Sequence, residues 1–151
     1  MSVRDIYTKH PYKVHENITI KEVLTKLLEK EFNGVLIVND ADELVGMVGL
    51  QDILAAIVPV EFRDNLNLAD AMHKPDFFKE LCSKVKNKKV KEIMQTKFST
   101  VDPDASIMKV AADFANRDLS SHPIPVIENG KVIGIITRSE IKKALAEGMD
   151  I

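Results

Sequence analysis

The chain has 151 residues, enough for one compact unit or two very small ones, which excludes a large multidomain enzyme. With 21 Lys and Arg against 23 Asp and Glu, the formal net charge is −2, which favours neither a generally basic nucleic-acid binder nor an acidic tail protein. Hydrophobic residues make up 45%, and the single cysteine, Cys82, excludes an intramolecular disulfide and a multi-cysteine zinc site. We expect a cytoplasmic protein, because the N-terminal MSVRDIYTKH lacks the apolar core of a signal peptide and no stretch approaches the roughly 20 apolar residues that span a bilayer.

The first predicted helix starts at Thr19, which has the spacing of a capping box with Glu22. Apolar residues then recur at helical period on one face: Ile20, Val23, Leu24, Leu27 and Leu28. Two short apolar runs at 35–38 and 44–48 enclose a polar turn and predict a β-hairpin. The segment 52–58 has helical spacing and ends at Pro59. With a short strand near Val14, this half has the predicted order β-α-β-β-α.

A more polar connector follows, from 60 to 89. Pro75 is well placed to start a helix, and the apolar residues after it fall close to one stripe: Phe77, Phe78, Leu81 and Val85. We therefore predict one helix in the connector. The lysine-rich run 84–91 is interpreted as a solvated face, with nucleic-acid or phosphate binding as the minority interpretation.

The last part of the chain repeats the order of the first. The opening Val3-Arg4-Asp5-Ile6 returns as Val90-Lys91-Glu92-Ile93, and Thr19-Ile20 returns at the same offset as Ser106-Ile107. A helix from Ser106, strands at 124–127 and 132–136 and a final helix follow, with a short strand near Val101. The predicted fold is therefore a mixed α/β (α+β) protein of two β-α-β-β-α repeats. The boundaries that we assign are 1–59, 60–89 and 90–151.

The segment HPIPVIENGKVIGIITRSEI, residues 122–141, resembles the most specific motif of the CBS (cystathionine β-synthase) domain family. That pattern is a Pro-Val strand, an acidic-Gly turn, a Gly with two apolar residues, a Ser or Thr, and an Asp three residues later. Residues 34–53 match the same pattern less fully. The chain thus resembles a tandem CBS pair, or Bateman module, over nearly its whole length except the connector.

This resemblance implies two repeats related by a pseudo-twofold axis, with two equivalent clefts that bind an adenine nucleotide or S-adenosylmethionine. In such modules the Ser or Thr contacts phosphate, the Asp binds the ribose hydroxyls, and the base lies in an apolar cage. Carried over to this sequence, the second cleft comprises Thr100, Val101, His122, Ile124, Pro125, Thr137, Arg138 and Glu140. The first cleft comprises Lys13, Val14, Gly34, Val35, Leu36, Gly49 and Asp52.

Both clefts depart from the family pattern. Thr137 supplies the hydroxyl of the second cleft, but Glu140 stands where Asp is usual. Asp52 supplies the carboxylate of the first cleft, but Gly49 replaces the hydroxyl residue. The pair Thr137 and Glu140 is also a capping box that a helix uses without any ligand, so a purely structural role stays open.

We favour the cleft of Thr137 and Glu140, because it has both functional groups and lies beside His122 and Arg138. His122 is a candidate phosphate contact, with an incidental surface histidine as the alternative.

No catalytic or metal-binding motif is present. The sequence lacks G-x-S-x-G, a P-loop, G-x-G-x-x-G and H-E-x-x-H, and its histidines have no metal-ligand spacing. We therefore expect no enzymatic activity and no resident cofactor. The expectation is a stand-alone regulatory protein that senses an adenosine ligand and signals to an unknown downstream protein.

The alternative function is a ligand-free dimeric interaction or scaffold protein. A homodimer is expected in both cases, because the helices at 51–58 and 142–146 carry more apolar surface than one small sheet can cover. Related modules pair through these helices, and a two-fold interface is isologous.

Overall fold

The computed structural model describes residues 1–30, 34–116 and 123–151. The helices of this part are α1 Ile20–Lys30, α2 Leu50–Ile57, α3 Val60–Asp64, α4 Leu66–Asp70, α5 Phe77–Val85, α6 Ile107–Ala115 and α7 Arg138–Gly148. The strands are β1 Thr8–Lys9, β2 Lys13–His15, β3 Gly34–Val38, β4 Leu44–Gly49, β5 Ile124–Glu128 and β6 Lys131–Ile136. Short 3-10 turns cover Val3–Asp5 and Val90–Glu92. None of the helices in these ranges is long and apolar enough to cross a membrane.

The strands form two small sheets of related topology. In one sheet β2 runs parallel to β3, and β3 is antiparallel to β4. In the other, β6 lies between β1 and β5 and is antiparallel to both. Val101 forms an isolated parallel bridge to Val126, at the place that β2 takes beside β3. The predicted mixed α/β fold with two CBS-like repeats is therefore confirmed.

Alternating side chains place each sheet between two apolar layers. Val35 and Ile37 of β3 are buried in the core of the first repeat, together with Val23 of α1. Leu36, on the opposite face of β3, packs with Met47 and Val132 in a cluster shared by the two sheets. The strand is buried on both faces, which explains why it is a continuous apolar run in the sequence.

The opening segments of the two repeats are exchanged. Val3 is fully buried in the core of the second repeat, whereas Val90 is fully buried in the core of the first. Strand β1 follows Val3 and pairs with β6, with Thr8 opposite Ile135. Gln95 follows Val90 and exchanges two backbone hydrogen bonds with Met47 of β4, at 2.7 and 2.9 Å. Each packed unit therefore contains the opening segment of the other repeat. The assigned boundaries 1–59, 60–89 and 90–151 remain a prediction.

The first helix starts as its sequence predicts. The backbone N–H of Thr19 donates to Oε2 of Glu22 at 2.8 Å, and the N–H of Glu22 donates to Oγ1 of Thr19 at 3.1 Å. Ile20, Val23 and Leu27 form the buried face of α1. The capping box and the apolar stripe together determine where this helix begins and which side it buries.

The connector contains α3 and α4 in addition to the predicted helix α5, so the expectation of one helix was incomplete. Asn65 separates the two short helices, and its side chain accepts a hydrogen bond from the backbone N–H of Leu68 at 3.1 Å. Each short helix has five residues, which is too short for a helical period to emerge in the sequence. Helix α5 is attached to the first repeat through Val85, which is buried in its core.

Candidate functional site

A cavity of about 470 Å³ lies between the two repeats. Three groups of residues form its walls. The exchanged segment supplies Thr8, His10, Pro11 and Tyr12, the start of β3 supplies Gly34, Val35 and Leu36, and the second repeat supplies Pro123, Ile135, Thr137, Arg138, Ser139 and Glu140. The cavity therefore has apolar walls and a polar end at the start of α7, which suits a small molecule with both kinds of surface.

Glu140 is the buried charge of this cavity, with 5% of the residue exposed. Its Oε2 accepts a hydrogen bond from the backbone N–H of Thr137 at 2.8 Å and another from the Thr137 hydroxyl. Its Oε1 accepts from the hydroxyl of Thr8. Burial alone raises the pKa of Glu140, but the hydrogen bonds from Thr137 and Thr8 outweigh it and hold that pKa below the ordinary value. Glu140 is therefore ionised at neutral pH and acts as an acceptor inside the cavity.

Thr137 organises the start of α7. Its Oγ1 accepts a hydrogen bond from the backbone N–H of Ser139 at 3.2 Å while the hydroxyl donates to Glu140. The first-turn N–H groups and the helix dipole make this end of α7 favourable for an anion. Arg138, at the first position of the helix, also lines the cavity.

Asp52 has the corresponding position in the first repeat, at the start of α2. Its Oδ2 accepts from the backbone N–H of Gly49 at 2.7 Å, and its Oδ1 accepts from the side-chain amide of Gln95 at 2.7 Å. The residue is 8% exposed. Each repeat therefore holds its helix-start carboxylate with one backbone N–H of its own and one side chain from the exchanged segment of the other repeat.

The structure groups three of the predicted backbone residues differently from the sequence. The resemblance predicts Gly34, Val35 and Leu36 in the cleft of Asp52, whereas they line the cavity of Thr137 and Glu140. The cause is the chain exchange, because the segment that leaves β1 at the second sheet runs directly into β2 beside β3. The backbone N–H of Leu36 donates to the carbonyl oxygen of Tyr12 at 3.3 Å, which holds the two segments together.

The remaining residues predicted for the first cleft lie in other surroundings. Nζ of Lys13 forms an ion pair with Asp42 at 3.1 Å, and Val14 is buried in the core. Gly49 ends β4 opposite Gly34, which belongs to the cavity described above.

The residues predicted for the second cleft do not all lie in one cavity. Thr100, Val101 and Ile124 line a separate cavity of about 320 Å³ that includes Lys109. Pro125 is buried in β5, where its carbonyl oxygen accepts from the backbone N–H of Val101 at 3.0 Å. The prediction for His122 lies outside the described residues.

The segment that joins β1 to β2 lines the cavity but is not among the residues predicted for either cleft. His10, Pro11 and Tyr12 all line the cavity, and the φ of His10 is 58°, in the left-handed region that few non-glycine residues adopt. Pro11 was the available signal, because a proline between two short strands indicates a turn. Within the described ranges, no group of three or more His, Cys, Asp or Glu side chains could hold a metal ion.

The family model described as CBS domain matches residues 3–59 and 90–147. In sequence, the chain is 29% identical over 146 residues to the uncharacterized protein MJ1232 of Methanocaldococcus jannaschii, covering 97% of this chain and 40% of that one. The chain spans between 15% and 40% of the length of six curated relatives.

Two solved structures have the same fold. CBSX2 in complex with AMP is 24% identical with a TM-score of 0.71, and the match covers 98% of each chain. The CBS domain pair of protein MJ0100, in complex with 5′-methylthioadenosine and S-adenosyl-L-methionine, is 23% identical with a TM-score of 0.68. That match also covers 98% of each chain.

Proposed function

Because this chain belongs to the CBS domain family as a tandem pair, we propose that it is a regulatory module that binds an adenine-containing ligand. The candidate ligands are AMP, ADP, ATP and S-adenosylmethionine. Two proteins of the same fold have been solved with AMP, or with 5′-methylthioadenosine and S-adenosyl-L-methionine, and all three compounds contain adenosine. The proposed role is regulatory and not catalytic.

The observation that carries the proposal is a cavity with a buried carboxylate at the start of a helix. We assign the ribose hydroxyls to Glu140, which is ionised and lines the cavity beside Thr137. The apolar walls, including Val35, Leu36 and Ile135, suit an adenine ring. A phosphate or carboxylate of the ligand would lie at the start of α7, near Arg138.

The exchanged segments offer a route from the cavity to the relative pose of the two repeats. The cavity takes residues from both repeats and from the segment that crosses between them. A ligand that binds one relative pose better than another shifts the population toward that pose. We propose that a downstream protein recognises this difference.

Ligand binding is tested by titration calorimetry and by thermal unfolding with each adenine compound, with GMP as the matched control. A ligand that binds only the folded chain stabilises it by RT ln(1 + [L]/Kd), about 2.7 kcal/mol at roughly a hundred times Kd. We expect a raised melting temperature with at least one adenine compound and a smaller effect with GMP. Absence of any effect at millimolar concentration, together with absence of co-purified nucleotide, would overturn the proposal.

A second candidate is a dimeric scaffold that docks a protein partner without a ligand. It is favoured by a groove of about 510 Å³ in the connector, lined by residues that include Phe62, Met72, Phe77 and Phe78. Phe78 is 61% exposed, and exposed apolar clusters often mark interaction sites. The calorimetric experiment separates the two functions, because a scaffold of this kind gives no heat with nucleotides.

A further inference from the structure

Thr8 occupies an unusual position for a cavity residue. It belongs to β1, the exchanged strand of two residues, yet its hydroxyl donates to Oε1 of Glu140 in the other repeat. Thr8 is itself exposed to solvent and also lines the cavity. A single hydrogen bond therefore connects the proposed ribose acceptor with the segment that crosses between the repeats.

The carboxylate of Glu140 has a limited number of acceptor positions. An ionised carboxylate offers about four lone-pair sites on its two oxygens. Three are already used, by the N–H of Thr137, the hydroxyl of Thr137 and the hydroxyl of Thr8. Two ribose hydroxyls would bring the number of donors to about five, which exceeds the sites available. At least one protein donor must leave when both hydroxyls bind.

The three donors differ in how easily they can leave. The backbone N–H of Thr137 is the capping-box donor at the start of α7, and it cannot turn away from Glu140 without a change in the backbone of the helix start. The Thr137 hydroxyl also accepts from the N–H of Ser139, so its rotation disturbs the same turn. Thr8 is exposed, and its hydroxyl can exchange Glu140 for water at low cost. The donor that leaves is therefore Thr8.

We propose that binding of an adenosine ligand displaces the Thr8 hydroxyl from Glu140, and that this displacement transmits occupancy of the cavity to the exchanged strand. The inference rests on the proposed function, because it requires that Glu140 accepts both ribose hydroxyls. Thr8 is then a positioning residue that competes with the ligand. Its loss strengthens ligand binding, which is opposite to the effect expected of a ligand contact.

The exchanged strand is well suited to respond. β1 is paired with β6 only through Thr8 and Lys9, opposite Ile135 and Gly134. A strand of two residues is held by few backbone hydrogen bonds, so release of the Thr8 side chain measurably weakens its pairing with β6. Val3, buried in the second repeat, keeps the start of the segment in place while β1 moves.

The first experiment is titration calorimetry with AMP, ADP, ATP and S-adenosylmethionine on Thr8→Val, Thr8→Ser and the unchanged protein. Valine keeps the shape of threonine and removes the hydroxyl, so we expect about tenfold tighter binding, the factor that corresponds to roughly 1.4 kcal/mol. Thr8→Ser keeps the hydroxyl and retains the affinity of the unchanged protein. Thr25→Val is the matched control, because the Thr25 hydroxyl donates to the Lys21 carbonyl oxygen on the exposed side of α1.

A second ligand tests the count of acceptor sites. 2′-deoxy-AMP has one hydroxyl on its sugar ring, which brings the donors on Glu140 to about four and requires no displacement. Thr8→Val should therefore leave the affinity for 2′-deoxy-AMP unchanged while it raises the affinity for AMP. An equal gain for both nucleotides would overturn the proposed competition.

Hydrogen exchange reports on the strand itself. The one β1 amide that donates to β6 should exchange faster in the AMP complex than in the free protein, and this difference should vanish in Thr8→Val. Slower exchange of this amide in the complex, or weaker AMP binding by a folded Thr8→Val protein, overturns the inference and leaves the proposed function intact. If none of AMP, ADP, ATP and S-adenosylmethionine binds the unchanged protein, the proposed function fails, and the inference fails with it.

Discussion

The side-chain amide of Gln95 donates to Oδ1 of Asp52 over 2.7 Å, which joins the exchanged segment of the second repeat to the start of α2 in the first. In the same way, the hydroxyl of Thr8, in the exchanged segment of the first repeat, donates to Glu140 at the start of α7 in the second. The two repeats are thus held together at two buried carboxylates, each at the third position of its helix.

Replacement of Gln95 should destabilise the protein. In Gln95→Ala the Asp52 carboxylate loses a hydrogen bond at a partly buried position, where water can replace part of it, so we expect the free energy of unfolding to fall by about 0.5 to 1.5 kcal/mol. Urea denaturation measures the change. Gln51→Ala, on the exposed side of α2, is the matched control and should differ little from the unchanged protein.

Gly134 provides the space for the exchanged strand. A Cβ at this position would press on the ring of Tyr7 and lie 2.5 Å from the backbone oxygen of Thr8. Gly134→Ala should therefore lower the free energy of unfolding by about 1 to 3 kcal/mol, as overpacking does.

Two further glycines serve as comparisons for that variant. Gly46→Ala should lower the free energy of unfolding by less than Gly134→Ala, because the nearest atoms to the added Cβ belong to the flexible side chain of Met94. Gly148 has open space around it, and Gly148→Ala should not destabilise the chain. Equal stability of the Gly134 and Gly148 variants in thermal denaturation would contradict the exchange as described.

The stability of the protein should fall at acid pH in part through Glu140. The folded-state pKa of Glu140 lies below that of an unfolded glutamate, which is about 4.3. Its contribution is therefore complete above the unfolded pKa and is lost as the pH falls through the folded pKa, where the unfolded chain binds more protons. Glu140→Gln should show a shallower loss of unfolding free energy between about pH 5 and pH 3. Parallel pH curves for the two proteins in urea denaturation would contradict this assignment.

Removal of the polar end of the cavity should weaken nucleotide binding. We expect Thr137→Ala combined with Glu140→Ala to lower the affinity for AMP by about tenfold to a hundredfold, each factor of ten being about 1.4 kcal/mol. Asp52→Ala should have the smaller effect. Calorimetry measures the affinities, and circular dichroism checks that loss of the cap leaves α7 folded. A folded double variant with unchanged affinity, beside an Asp52→Ala protein that no longer binds, would move the site to the first repeat.

Exposed leucines on α2 and α7 support the expected homodimer. Leu50, Leu54 and Leu145 are 47%, 42% and 53% exposed. We expect light scattering at micromolar concentration to give twice the 16.9 kDa mass of the chain, and Leu54→Lys to shift it toward the monomer. Leu28→Lys, on the exposed side of α1, is the control and should leave the mass unchanged. A single species of 16.9 kDa for the unchanged protein would contradict the dimer.

Local patterns in the sequence determined the longer elements of the fold, but not the two-residue strand β1 or the five-residue helices α3 and α4. The capping box of Thr19 and Glu22 and the apolar runs of β3 to β6 predicted helices and strands that the structure contains. They could do so because caps, side-chain alternation and helical period act between residues a few positions apart. The duplication itself was also visible, since the same local patterns occur twice.

Only the tertiary structure decided which residues share a cavity. Gly34 and Glu140 are far apart in the chain, and no local pattern indicates that they lie close together. No local pattern indicates the exchange of Val3 and Val90 between the two cores either. Either repeat could bury its own opening valine, because the two segments are nearly equivalent in hydrophobicity and spacing. The choice between own and exchanged packing depends on contacts across the whole chain, and those contacts brought Thr8 to Glu140 and Gln95 to Asp52.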